Sequence, residues 1–129
     1  MGREFWNAVE ENPIIAAVKC MDDLEQCCKL EDIRVVFILF GDICSIGDIV
    51  KKIKAAGKLA MVHVDLIVGL SPREIAIEYL KNNTDADGII TTKPALIKKA
   101  KELSLYTVLR YFLLDSMFLH SSILSIRIS

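Results

Sequence analysis

Residues 35–64 read VVFILFGDICSIGDIVKKIKAAGKLAMVHV, and the order of residue types within this stretch decides the fold. Val35 to Phe40 is an unbroken apolar run ended by Gly41-Asp42, as expected of a strand covered on both faces. From near Ile46 to Ala56 the apolar residues recur at helical spacing, and Gly57 supplies a stop. A second apolar run, Leu59 to Val64, follows at once. Strand, helix and strand in that order call for a parallel pair joined by a crossover helix.

The same unit recurs on both sides. Upstream, Ile14 to Val18 reads as a strand and about Asp22 to Leu30 as a helix, with Asp22 or Asp23 available to cap it. Downstream, Ser71-Pro72-x-Glu74 has the form of a helix start, a capping serine with proline at the first helical position, and the helix should run to about Asn82. Gly88 to Thr91 is a short strand, Thr92 stands where it could cap a helix from Pro94 to Leu103, and Tyr106 to Arg110 closes the series. Five such β/α units suit either a (β/α) barrel or a doubly wound sheet. No Gly-x-Gly-x-x-Gly or P-loop pattern follows any of the strands, which removes the usual argument for a dinucleotide or nucleotide site.

Residues 1–116 are expected to form one partial β/α-barrel domain. Residues 117–129 carry no acidic side chain and alternate apolar residues with serine, which predicts an aberrant or frayed C-terminal tail or a strand. Over 129 residues the hydrophobic content is 53%, enough for a sizeable core and too much for a disordered chain. No apolar run approaches the ~18 residues of a membrane span, and the N-terminus has neither a secretory nor a transit pattern. Those features predict a cytoplasmic protein with no membrane partner. Cys20, Cys27, Cys28 and Cys44 show no Cys-x-x-Cys spacing, and His63 and His120 lie far from them, so no metal site is expected.

In parallel α/β architectures ligands gather where strands end, so the polar residues there are the ones to weigh. Lys19, Asp42, His63, Asp65, Thr92, Lys93 and Arg110 occupy those positions. Lys19, Lys93 and Arg110 converging on one mouth would make a phosphate site, since each offers charged donors; alternatively some of them pair with Asp42 and Asp65 to fill a polar barrel end. His63 and Asp65, two apart on one strand, would share a face and could serve as an acid/base pair in a barrel enzyme acting on a phosphorylated metabolite. No nucleophile or metal ligand accompanies them, and a hydrogen-bonded structural histidine explains the pattern as well. A net charge of −1 gives no bulk pull toward nucleic acid, so RNA contact needs a local patch. Lys51, Lys54 and Lys58, spaced along one helical face, are the best candidates, against the reading of a merely solvated surface.

Five ordered blocks carry a resemblance. Residues 12–19 (NPIIAAVK), 40–43 (FGDI), 63–70 (HVDLIVGL), 86–93 (ADGIITTK) and 112–116 (FLLDS) together resemble the glycerol uptake operon antiterminator family. The resemblance implies a barrel-like fold and a regulator of transcription that senses glycerol 3-phosphate, needs no other cofactor, and acts on leader mRNA. It also makes Lys19, Asp42, His63, Asp65, Thr92, Lys93 and Arg110 candidates for the ligand mouth. Val68 stands where the family commonly has an acid, and Leu109 where a polar residue is common. Family members continue into further strands with a Gly-rich segment, so this sequence is expected to be a C-terminally truncated form, either active or an inactive remnant. An incomplete barrel would leave a strand edge open, which predicts self-association.

Overall fold

The computed structural model describes residues 15–110 and the backbone of 126–128. Five strands, β1 (Ile15–Val18), β2 (Val35–Ile38), β3 (Leu59–His63), β4 (Gly88–Thr91) and β5 (Tyr106–Arg110), lie parallel and in chain order. The helices between them are α1 (Met21–Cys28), α2 (Ile46–Ala55), α3 (Glu74–Asn83) and α4 (Pro94–Glu102), and a 3₁₀ turn, Val64–Leu66, follows β3. A last strand, β6 (Ile126–Ile128), pairs antiparallel with β5. Residues 111–125, which include most of the predicted tail, lie outside the described residues.

Side-chain alternation distinguishes a barrel wall from a doubly wound sheet. On one face Val36, Ile38, Ala60, Val62 and Ile89 pack with Leu24, Ile53, Ile77, Leu80 and Leu96 from the four helices. On the other face Val35, Phe37, Leu59, Met61, Ile90 and Val108 pack with one another, and among the described residues no helix residue joins them. A doubly wound sheet reverses its strand order and takes helices on both faces. Consecutive order with helices on one face is the arrangement of a (β/α) barrel wall. The fold is therefore α/β of the TIM-barrel type, as the repeated β/α units imply.

Several predicted helix starts are corrected. Neither Asp22 nor Asp23 is the N-cap of α1; Cys20 is, and the Asp23 carboxylate instead accepts the Lys19 N–H at 3.0 Å from the third helical position. Arg73, not Ser71, precedes α3, because the chain makes a tight turn in which the Arg73 N–H meets the Ser71 carbonyl at 2.7 Å; Pro72 thus stands before the helix. Thr92 does not cap α4. Lys93 holds that position, with Pro94 first in the helix, and the Thr92 hydroxyl is engaged elsewhere.

The common face proposed for Lys51, Lys54 and Lys58 does not form. Helix α2 ends at Ala55, so Lys58 lies past the Gly57 turn, only 4% exposed, where its ammonium donates to the Leu30 and Ile33 carbonyls at 2.6 Å each. Lys54 donates to both carboxylate oxygens of Asp87 at 3.0 Å. Asp87 in turn accepts the Ala60 N–H at 2.8 Å, so these lysines fasten the end of the sheet opposite the mouth. Lys51 remains exposed on α2.

Candidate functional site

Alternation along β3 and β5 places His63 and Arg110 on the helix-free face, each at the last position of its strand. Arg110 reaches past β4, and its Nη1 lies 3.0 Å from His63 Nε2. His63 is 1% exposed. Burial, reinforced by the nearby Arg110 charge and only partly offset by Asp65, lowers its pKa from 6.5 to about 4, so the ring is neutral at pH 7. Its Nδ1 has no hydrogen-bond partner among the described residues.

Asp65 does not share that face. The chain leaves β3 through the Val64–Leu66 turn, which swings Asp65 toward the end of β4. There Oδ1 accepts the Thr91 hydroxyl at 2.8 Å, and Oδ2 accepts the Thr92 N–H at 2.9 Å and its hydroxyl at 2.6 Å. Burial alone would raise the Asp65 pKa, but these hydrogen bonds, led by those of Thr92 and helped by His63, hold it below the usual carboxylate value. Thr91 then accepts the Lys93 N–H at 3.2 Å, fixing the approach to α4. The predicted acid/base couple is thus replaced by two separate arrangements, His63 with Arg110 and Asp65 with Thr91 and Thr92. Neither arrangement puts the Asp65 carboxylate on the His63 ring, and His63 Nε2 faces the Arg110 guanidinium.

Asp42 is likewise employed locally. Its Oδ1 accepts the N–H groups of Cys44 at 2.9 Å and Ser45 at 2.8 Å, while the Ser45 hydroxyl accepts the Asp42 N–H at 3.0 Å. That reciprocal turn leads the chain into α2. Lys19 and Lys93 are exposed at the ends of β1 and β4, and among the described residues no carboxylate is bonded to either ammonium. Of the seven predicted mouth residues, the structure therefore joins His63 to Arg110 and Asp65 to Thr92, and leaves Lys19, Asp42 and Lys93 at separate strand ends. Thr91, the polar residue that ends β4, joins Asp65 and Thr92 through its hydroxyl. No group of three or more potential metal ligands occurs among the described residues.

These features define a barrel-type β/α protein that carries Lys19, Lys93, the His63–Arg110 contact and the Asp65–Thr91–Thr92 cluster at the carboxyl ends of its strands. The family model for glycerol-3-phosphate responsive antiterminators matches residues 14–129, and the chain belongs to that family. An uncharacterized Escherichia coli protein, YgcP, is 43% identical over 113 residues, which make up 88% of this chain and 59% of that protein. The crystal structure of the glycerol uptake operon antiterminator regulatory protein from Listeria monocytogenes matches with a TM-score of 0.74 at 31% identity, over 80% of this chain and 55% of that one. A glycerol uptake operon antiterminator-related protein from Thermotoga maritima matches with a TM-score of 0.69 at 39% identity, over 80% and 57%. The chain spans less than two thirds of the length of each. No helix among the described residues is long and apolar enough to cross a membrane.

Proposed function

We propose that this chain is a cytoplasmic, non-enzymatic regulator whose strand-end mouth binds glycerol 3-phosphate and which acts on the leader mRNA of glycerol-uptake genes, letting polymerase read through a terminator. The observation that carries the ligand half is the arrangement of charge at the mouth. Asp65 accepts three hydrogen bonds from threonine groups and none from lysine, so it does not tie up Lys93 or Lys19. Lys19 and Lys93 then favour an anion, Arg110 adds its positive charge beside His63, and Thr92 with His63 supplies neutral polar contacts suited to a polyol. Asp42 holds the loop beside them. Membership of a family described as glycerol-3-phosphate responsive selects that anion among others.

For RNA, the exposed Lys51 is the remaining candidate of the α2 group, since Lys54 and Lys58 hold the opposite end of the sheet together. The outer edge of β1 offers a surface for self-association, because β1 pairs only with β2 among the described residues.

Calorimetric titration with glycerol 3-phosphate, glycerol and inorganic phosphate tests the ligand half. Clear preference for glycerol 3-phosphate, lost in Lys93→Ala, is the expected result; equal affinity for phosphate and glycerol 3-phosphate would reduce the mouth to a general anion site. Read-through of a leader terminator in transcription assays, with and without glycerol 3-phosphate, tests the RNA half. Sedimentation that shows a sharp monomer at high concentration would remove the self-association.

A further inference from the structure

The contact between Arg110 and His63 fixes more than the position of a ring. A guanidinium has only donors and stays protonated throughout the working pH range. At 3.0 Å from Arg110 Nη1, the His63 Nε2 must therefore present its lone pair. A neutral imidazole carries one proton, so that proton sits on Nδ1. Burial agrees, since it keeps the ring from taking a second proton until about pH 4. Nδ1 is then an N–H donor on the edge of the ring turned away from Arg110. It is buried, at the end of the strand-lined face, and has no hydrogen-bond partner among the described residues.

We propose that His63 is a specificity-determining residue of the mouth: a neutral donor, locked by Arg110 in its Nδ1–H form, that recognises an acceptor oxygen of the bound ligand. This rests on the reading of the mouth as the ligand site. Arg110 is in this respect a positioning residue, because it dictates which nitrogen holds the proton. The chemical class that satisfies Nδ1–H is a phosphate, ester or hydroxyl oxygen; an ammonium or amide N–H would meet a like donor. Phosphorylated polyols present such oxygens at several positions. Asp65 is turned to Thr91 and Thr92 and makes no hydrogen bond with Nδ1.

The tautomer is measurable without ligand, by long-range proton–nitrogen correlation spectra of the ¹⁵N-labelled chain at neutral pH. The sequence has two histidines, so loss of one set of signals in His63→Asn assigns them. The expected pattern is a protonated Nδ1 and an unprotonated Nε2, with a mixture appearing in Arg110→Met. A protonated Nε2 in the wild-type chain would overturn the proposal whatever the ligand does. Binding then tests the donor role with glycerol 3-phosphate as the probe. Asparagine places an N–H₂ near the position of Nδ1, whereas glutamine places its amide near Nε2. His63→Asn is expected to bind within about threefold of wild type and His63→Gln to lose about tenfold or more, the loss of one hydrogen bond. Equal losses in both variants, or wild-type affinity in His63→Gln, would refute the donor role with the ligand site still standing. Should either variant fail to fold, the wild-type Nδ1–H signal decides, since it is expected to shift and to exchange more slowly on adding glycerol 3-phosphate. An unmoved signal with binding intact refutes the proposal; a wild-type chain that binds no probe refutes the ligand site and the donor role together, while leaving the tautomer lock intact.

Discussion

Gly57 and Ser104 occupy the same place in two helix endings. Each lies one residue past the C-cap and has a left-handed backbone, with φ of +79° and +61°. After α2 the Gly57 N–H meets the Lys54 carbonyl and the Lys58 N–H meets that of Ile53; after α4 the Ser104 N–H meets Lys101 and the Leu105 N–H meets Ala100. Both are Schellman endings, but only one has the residue that adopts the left-handed region without strain. Ser104→Gly is expected to raise stability by about 0.5–1 kcal/mol and Gly57→Ala to lower it by about 1 kcal/mol. Urea midpoints of the two variants against wild type check both signs.

The Asp87 carboxylate takes three hydrogen bonds from two donors at the foot of the sheet, Lys54 and the Ala60 N–H, and the two have unequal weight. Its ion pair with Lys54 is half in solvent, the lysine side chain being 34% exposed, so Lys54→Met should cost no more than about 1 kcal/mol. Asp87→Ala also strips the acceptor from the buried Ala60 N–H, which should cost about 1–3 kcal/mol. A double-mutant cycle measured by denaturation separates the two contributions; equal losses from both single variants would mean that the ion pair, not the amide, dominates.

Lys58 is a buried cation held by two carbonyls rather than by a carboxylate. Replacing it with methionine keeps the aliphatic stem but leaves the Leu30 and Ile33 carbonyls without that donor. The expected loss is about 1–3 kcal/mol, whereas Lys51→Met, on the exposed surface, should stay within about 0.5 kcal/mol of wild type. Thermal unfolding of the pair is the check.

Acid should destabilise the fold in a defined window. The unfolded His63 ring takes its proton near 6.5 and the folded one only at about 4, so between these values the unfolded state holds more protons. Stability present above pH 6.5 is therefore lost as pH falls, by about 3 kcal/mol on reaching pH 4, and this contribution levels off below. Asp65, whose folded pKa is lowered, continues the loss at still lower pH as its carboxylate protonates. Denaturation midpoints from pH 7 to pH 4 should fall steeply in wild type and less steeply in His63→Gln; parallel curves would remove His63 as the cause.

The strands were legible because each is a short apolar run, and the structure shows three of them buried on both faces. Choosing barrel over doubly wound sheet required more than the runs themselves, since period-two alternation is hidden when both faces are apolar; the helix-free packing of Phe37 and Met61 made the distinction. Helix starts were the weakest reading. Thr92 has the right residue type for a cap, yet its hydroxyl is taken by Asp65, 27 residues earlier in the chain. Spacing alone made Lys58 look like a surface lysine, although Gly57 had already ended the helical period. At the mouth, position along the strands found His63 and Arg110, but which partners they would choose depended on the turn after β3, for which Val64-Asp65-Leu66 carries no distinctive signal.

Beyond the ends of β2 and β3, Asp42 and Val68 form one more rung of parallel pairing, with the Ile43 N–H on the Val68 carbonyl at 2.9 Å and the Val68 N–H on the Gly41 carbonyl at 3.0 Å. Gly69, at φ +85°, permits this closeness, because a Cβ there would come within 3.0 Å of Ile43 Cγ2. Two loops that would otherwise fluctuate independently are stitched into a single brace. The proposed mouth thus has a side wall already in place on that flank, and the entropic cost of arranging it was met when the chain folded.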